Sequence, residues 1–224
     1  MNDTEITSWT VFGERGSGTR WVSDLMGSMT RCVNLTDSYV SGWKHGLWGL
    51  RQENQLGPRN LVIHVTKDPY AWLLSFYNAP WHCQHLARGI SFSEFIRNEY
   101  WAKCNDTKHR EWWGLDRDDE LPERPDNERW SNPIQMWRDK EASFQKIENK
   151  PVLMLDYITL LKDPVSLAYD IKKLGAELKD FKIKDPKKYK KYSYYRDYLF
   201  MEMIPEDDRN FIAQELDKPL SLRP

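Results

Sequence analysis

The sequence contains no apolar stretch long enough to form a transmembrane helix, and its first residues, MNDTEITSW, lack the basic and apolar regions of a signal peptide. Cysteine is scarce: Cys32, Cys83 and Cys104 are an odd set of 3 with no CxxC spacing, which excludes a disulfide framework and gives no support for zinc. Charge of one sign is also missing. The 33 Lys and Arg face 34 Asp and Glu, for a formal net charge of −1, so the chain has no overall attraction for nucleic acid or an anionic membrane. These absences predict a reduced, cytoplasmic-type protein with no nucleic-acid partner, no membrane partner and no metal. What is present is a globular composition, 40% hydrophobic and 30% charged, over 224 residues, enough for one large domain with a full core. Aromatic content is 13%, with 11 Trp, a supply that serves both cores and stacking surfaces.

A further absence is chemical. The stretch VFGERGSGTRW, residues 11–21, has glycines at Gly13 and Gly18 in the frame of a Walker phosphate loop. That pattern then requires Lys and Ser or Thr, and Thr19 and Arg20 stand there instead. The lysine that grips the outer phosphates of a nucleoside triphosphate is missing. The remaining elements still suit an anion: a strand ending at Phe12, a Gly-rich turn and a helix from about Gly18 aim backbone N–H groups and a helix dipole at one point. Arg15, Ser17, Thr19 and Arg20 add donors. A plain strand-to-helix turn is the alternative reading of the loop by itself.

Apolar runs at 9–12 (WTVF), 61–65 (LVIHV) and 152–155 (VLML) predict buried strands of a parallel sheet. Trp21, Val22, Leu25, Met26 and Met29 follow helical spacing. Asn132 with Pro133, and Asp163 with Pro164, read as helix starts, with Gly175 as a stop, and PEDDRNFIAQEL has the acidic first turn of another helix. The expected fold is α/β: one domain over 1–224 with a central parallel sheet flanked by helices and a P-loop-like strand–loop–helix at its start. The charged, aromatic stretch 103–131 interrupts the pattern and predicts a lid or acceptor-side excursion within 76–131.

A second motif, HVTKDPYAWLLSFY, leaves the second strand directly. Lys67 stands at the strand's carboxyl end, where open α/β sheets bind ligands, and Ser75 follows on the next helix. Together with GERGSGTRW and PVLMLDYITLLKDP, in this order, the chain resembles the sulfotransferases that use 3′-phosphoadenosine 5′-phosphosulfate (PAPS). The resemblance spans most of residues 9–175. It implies that the loop, with Arg15, Gly16, Ser17, Gly18, Thr19 and Arg20, holds the 5′-phosphosulfate, that Lys67 and Ser75 hold the 3′-phosphate, and that Tyr157 lies near the adenine. It implies PAPS as co-substrate, no metal, and a small-molecule or glycan acceptor offering a hydroxyl or amine. In GWKHG, His45 resembles the general base and Lys44 a sulfate-contacting cation. A late basic residue, Arg196, resembles one that closes over the 3′-phosphate.

The chain departs from that pattern at Gly16, where the family carries a basic residue; the nearest is Arg15, one place earlier. Arg15 and Lys44 are therefore expected to share the work on the departing group. A phosphate-loop kinase and a non-catalytic nucleotide-binding protein remain the alternatives, the first weakened by the missing lysine and the second favoured by Gly16. Outside the resemblance, His45 reads as a surface or structural histidine, His64 as a core histidine within its strand, and Tyr157 as a packing residue. His82 and His85 are candidates to face the acceptor, with nothing in the sequence fixing them there. Most of Trp81, Trp112, Trp113 and Trp130 read as packing, with stacking on a flat acceptor as the alternative. The basic run 182–196 reads as a solvated face.

Overall fold

The computed structural model describes residues 5–38, 41–104, 110–111, 114–117, 119–124, 126, 128–182 and 198–218. The apolar runs form strands, each slightly longer than its run: β1 (Ser8–Phe12), β3 (Asn60–Thr66) and β4 (Val152–Asp156). A short β2 (Val33–Asn34) joins them in a four-stranded sheet of order β2-β1-β3-β4, with every neighbouring pair parallel. No apolar run marks β2, whose two residues are exposed. It exists because β1 has a free edge, and Val33 and Leu35 donate their N–H groups to Thr7 O and Trp9 O at 3.0 and 2.9 Å.

Helices are α1 (Thr19–Met29), α2 (Leu50–Gln55), α3 (Pro69–Asn78), α4 (Gln84–Ala87), α5 (Phe92–Phe95), α6 (Pro133–Phe144), α7 (Tyr157–Lys162), α8 (Ser166–Lys173) and α9 (Glu206–Asp217). A 3₁₀ turn, Leu199–Met203, precedes α9. Asn132 caps α6 as expected, accepting from Gln135 N–H at 2.8 Å, with Pro133 in the first turn. The start of α8 falls later than Asp163 and Pro164: the Asp163 carboxylate instead accepts the N–H groups of Val165 and Ser166 at 3.2 and 3.3 Å and launches the helix from outside it. None of these helices is long and apolar enough to cross a membrane.

The two-residue period of the strands divides the core. Trp9, Val11, Leu61, Ile63 and Val65 face Val22, Leu25, Met26 and Met29 of α1 and Leu167 and Ile171 of α8. Phe12 and Val62 point the other way, onto Phe144 of α6 and Trp48. Each fully buried side chain of this size contributes about 1.5–3 kcal/mol. His64, in the same run, is buried with its ring stacked 4.1 Å from Phe144 and its Nε2 3.4 Å from Glu141, a core placement. The fold is α/β, a central parallel sheet flanked by helices.

The 76–131 excursion begins inside α3. Phe95, Tyr100 and Trp130 bury themselves with Trp72 and Phe76 of α3, so this part of the chain shares the domain's core. Trp130 is a packing residue, and its Nε1 donates to Asp139 at 3.0 Å. Trp81 is exposed. Trp112, Trp113 and His109 lie outside the described residues, as does nearly all of 182–196. Cys83 and Cys104 are buried free thiols, and Cys32 is a half-buried one.

Candidate functional site

β1 and β3 are central neighbours with Phe12 opposite His64, so the segments leaving their carboxyl ends start level with each other. The first is the 13–18 loop. Gly13 has φ +148°, and a Cβ there would run into the Val65 carbonyl. Gly16 and Gly18 also hold positive φ, +80° and +98°, which other residues adopt only under strain. Gly18 has a second constraint, because its Cα lies against the Tyr157 ring and a Cβ would overlap it. Glycine at 13 and 18 is therefore dictated by contact as well as by backbone conformation.

Gly18 occupies the N-cap of α1 without a side-chain capping bond, and the first turn has no acidic residue. The leading N–H groups and the positive end of the dipole thus have no side-chain cap from Gly18 and no acidic partner in the first turn. Ser17 Oγ is buried beside them and has no hydrogen-bond partner among the described residues. Thr19 is buried and Arg20 exposed. Orphan donors grouped at one helix start are chemically suited to an anion.

The second segment carries Lys67 and α3. Asp68 caps α3, accepting from Tyr70 and Ala71 N–H, both at 3.0 Å, and Pro69 opens the helix. This turn brings Ser75 back over the strand end: Lys67 Nζ donates to Ser75 Oγ at 2.7 Å and to Gly16 O at 3.4 Å. Tyr157, the first residue after β4, completes the group, its ring centroid 5.3 Å from Lys67 Nζ. Gly16, Gly18, Lys67, Ser75 and Tyr157, from three parts of the sequence, thus meet at the carboxyl end of the sheet.

His45 comes to the same end by a different route. Gly13 N–H donates to Lys44 O at 3.0 Å, and His45 Nδ1 lies 2.6 Å from Gly13 O. A carbonyl can only accept, so Nδ1 carries the proton and Nε2 the lone pair, the tautomer a base needs. Burial pushes the imidazole well below the ordinary value of 6.5, and the charges of Arg15 and Lys44 push the same way, so it is neutral near pH 7. Trp43 stands edge-on to the ring at 5.5 Å and edge-on to His82 at 5.7 Å. Lys44 is not displayed alone: Asp37, itself at φ +54°, takes both its ammonium and its backbone N–H.

Arg15 is placed differently from the phosphate-facing position expected of it. Its guanidinium is buried, paired with Glu123 at 2.8 Å, hydrogen-bonded to the Tyr100 hydroxyl and lying 4.9 Å over Trp43. Burial alone would lower its pKa, yet Glu123 and neighbouring groups hold it well above the ordinary value. Arg196 lies outside the described residues.

Sequence reasoning missed the rest of this cluster. Glu14 and Glu123 are buried, and Lys140 of α6 bridges them, its Nζ at 2.7 and 2.9 Å from their carboxylates and 2.8 Å from His45 O. Burial raises the Glu14 pKa, but Lys140 and Arg15 outweigh it and leave the group below its ordinary range. Cys83, nearby, is pushed by burial up to about 12 and is no nucleophile at neutral pH. The available signal was Glu14 itself, since a carboxylate inside a Gly-rich loop expected to bind an anion demands a cation. Among the described residues no group of three or more His, Cys, Asp or Glu could hold a metal ion.

The chain matches no protein-family model, no curated protein and no solved structure.

Proposed function

We propose that this protein is a PAPS-dependent sulfotransferase, moving a sulfuryl group to a hydroxyl or amine acceptor with His45 as general base. The observation that carries the reading is the convergence of Lys67 and Ser75 on Gly16 of the loop, with Tyr157 against Gly18. Two features expected to bind anions, far apart in sequence, meet at one end of the sheet, an arrangement that suits a nucleotide with phosphate groups at both its 3′ and 5′ positions. The residues fit such a ligand: uncapped N–H groups and Ser17 for one phosphate, Lys67 and Ser75 for the other, an aromatic ring for the base.

Sulfuryl transfer needs positioning, donors around spread negative charge, and a base on the attacking group. In this reading His45 Nε2 takes the acceptor's proton as the acceptor oxygen or nitrogen bonds to sulfur. The sulfur–oxygen bond to the 5′-phosphate breaks, and the phosphate leaves with that electron pair. Lys44, released from Asp37 or acting beside it, is the cation that adjoins the base in sequence.

The burial of Arg15 favours one second reading, a nucleotide-binding protein without chemistry, because no basic side chain from positions 15 or 16 is exposed at the loop. Two measurements separate the readings. 3′-Phosphoadenosine 5′-phosphate should raise the melting temperature well beyond AMP or ATP without Mg²⁺, and labelled sulfate should move from PAPS to an acceptor panel. Equal shifts from AMP and the bisphosphate would remove the cofactor assignment. Strong bisphosphate binding with no transfer to any acceptor would leave the non-catalytic reading.

A further inference from the structure

Lys140 is a buried lysine on α6, remote in sequence from every motif of the loop and the base. Its ammonium has three donors, and three oxygens take them: Glu14 Oε1 at 2.7 Å, His45 O at 2.8 Å and Glu123 Oε1 at 2.9 Å. Charge balance explains two of these partners. With Arg15, the cluster holds two cations and two carboxylates and is neutral as a set. It does not explain the third, since a neutral carbonyl needs no ammonium for balance.

The third bond has a geometric consequence. His45 and Gly13 are joined directly, by Gly13 N–H to Lys44 O at 3.0 Å and by the imidazole to Gly13 O at 2.6 Å. Glu14 is the next residue after Gly13, so one ammonium holds both chains of this contact from behind. A single buried atom on a helix thus adds a tie between the loop and the base segment beyond the two bonds that the loops make themselves. Charges buried at this cost are often replaceable by apolar groups where only stability is at stake.

We infer that Lys140 is a positioning residue, holding His45 against the phosphate loop so that its Nδ1–H stays on Gly13 O and its Nε2 faces the acceptor. The inference rests on the proposed role of His45 as base, and it acts through that residue rather than on substrate. Loss of the ammonium frees the Gly13 and His45 segments to separate. Displacement of about 1 Å from productive geometry can cost on the order of 10²-fold in rate.

The test uses the full chain with Lys140→Met, Lys140→Arg and the charge-balanced double variant Lys140→Met/Glu14→Gln. Imidazole ¹⁵N spectra, assigned with His45→Gln, report the His45 tautomer whether or not the protein turns over. The parent should show one Nδ1–H tautomer, and Lys140→Met and the double variant should show a mixture. With PAPS and a working acceptor, kcat should fall about 10²-fold while the acceptor KM and the thermal shift from 3′-phosphoadenosine 5′-phosphate stay near the parent's. Lys140→Arg should recover part of kcat. An unchanged tautomer with kcat within about twofold of the parent's would show that Lys140 only supports the fold. Failure of both Met variants to fold would overturn the proposal in the same way. If the parent itself transfers no sulfate, the functional reading fails separately, and the tautomer comparison still decides whether Lys140 positions the ring.

Discussion

Lys67 Nζ and Ser75 Oγ lie 2.7 Å apart across the first turns of α3, with the Gly16 carbonyl 3.4 Å from the same ammonium. A lysine at a strand end and a serine on the following helix meet because Asp68 and Pro69 fix the turn between them. The pair ties α3 to the loop.

Lys67→Ala should therefore abolish most of the extra thermal stabilisation by 3′-phosphoadenosine 5′-phosphate over AMP, and Ser75→Ala should reduce it. A ligand at 100 times its Kd stabilises the native state by about 2.7 kcal/mol, so the loss is readable by differential scanning fluorimetry. An undiminished bisphosphate shift in Lys67→Ala would place the 3′-phosphate elsewhere.

His45 carries a depressed pKa, through burial first and then Arg15 and Lys44. Its neutral form persists below the ordinary 6.5, so the acid limb of kcat/KM should fall at a pH under 6.5. His45→Ala should lower turnover by roughly 10²-fold or more with bisphosphate binding intact. The stability consequence has a definite sign. The unfolded chain binds the proton first, so this contribution is whole above the unfolded value and is lost as pH falls from about 6.5 toward the folded value. His45→Gln should flatten that part of the melting-temperature profile. An acid limb above 6.5 would count against His45 as the base.

Arg15→Ala should act chiefly on stability. It leaves Glu123 and Glu14 buried with Lys140 as their remaining cation, and breaking a buried pair this way costs about 3–5 kcal/mol. Adding Glu123→Gln should return part of the loss, because the orphaned charge goes with it. Chemical denaturation of the two single variants and the double gives the coupling. Purely additive effects would mean that the pair does not form in solution.

Gly13→Ala and Gly18→Ala should separate two kinds of close approach. At Gly13 the obstacle is the Val65 backbone carbonyl in the sheet, so alanine should destabilise severely, beyond the roughly 1–3 kcal/mol of a strained backbone alone. At Gly18 the obstacle is the Tyr157 ring, and Tyr157→Ala should relieve part of the cost. Melting temperatures of Gly18→Ala with and without Tyr157→Ala provide the check. Restoring the resembling family's basic residue by Gly16→Lys meets no comparable obstacle, with the nearest atom, Ser75 Cβ, at 3.7 Å, but φ +80° strains any such side chain.

The sheet, its parallel sense and the main helices were legible in the sequence because short apolar runs and Asn-Pro or Gly punctuation act locally, through burial period and capping. The glycine loop and the Lys67–Ser75 pairing were legible for the same reason: each is made within one strand–turn–helix unit. β2 was not, because its two exposed residues pair only to fill the edge of β1. The direction of Arg15 was not legible either. A guanidinium in a Gly-rich strand-to-helix loop reads as a ligand contact, but in the folded chain Glu123, 108 residues away, pairs with it, and Tyr100 and Trp43 close round it. Nor could the sequence assign Lys140 to His45, since the two meet only when α6 packs beneath the loop. Local spacing determined which groups could bind an anion. Long-range packing decided which charges were left to do so, because a buried charge is claimed by whichever opposite charge the fold brings within reach.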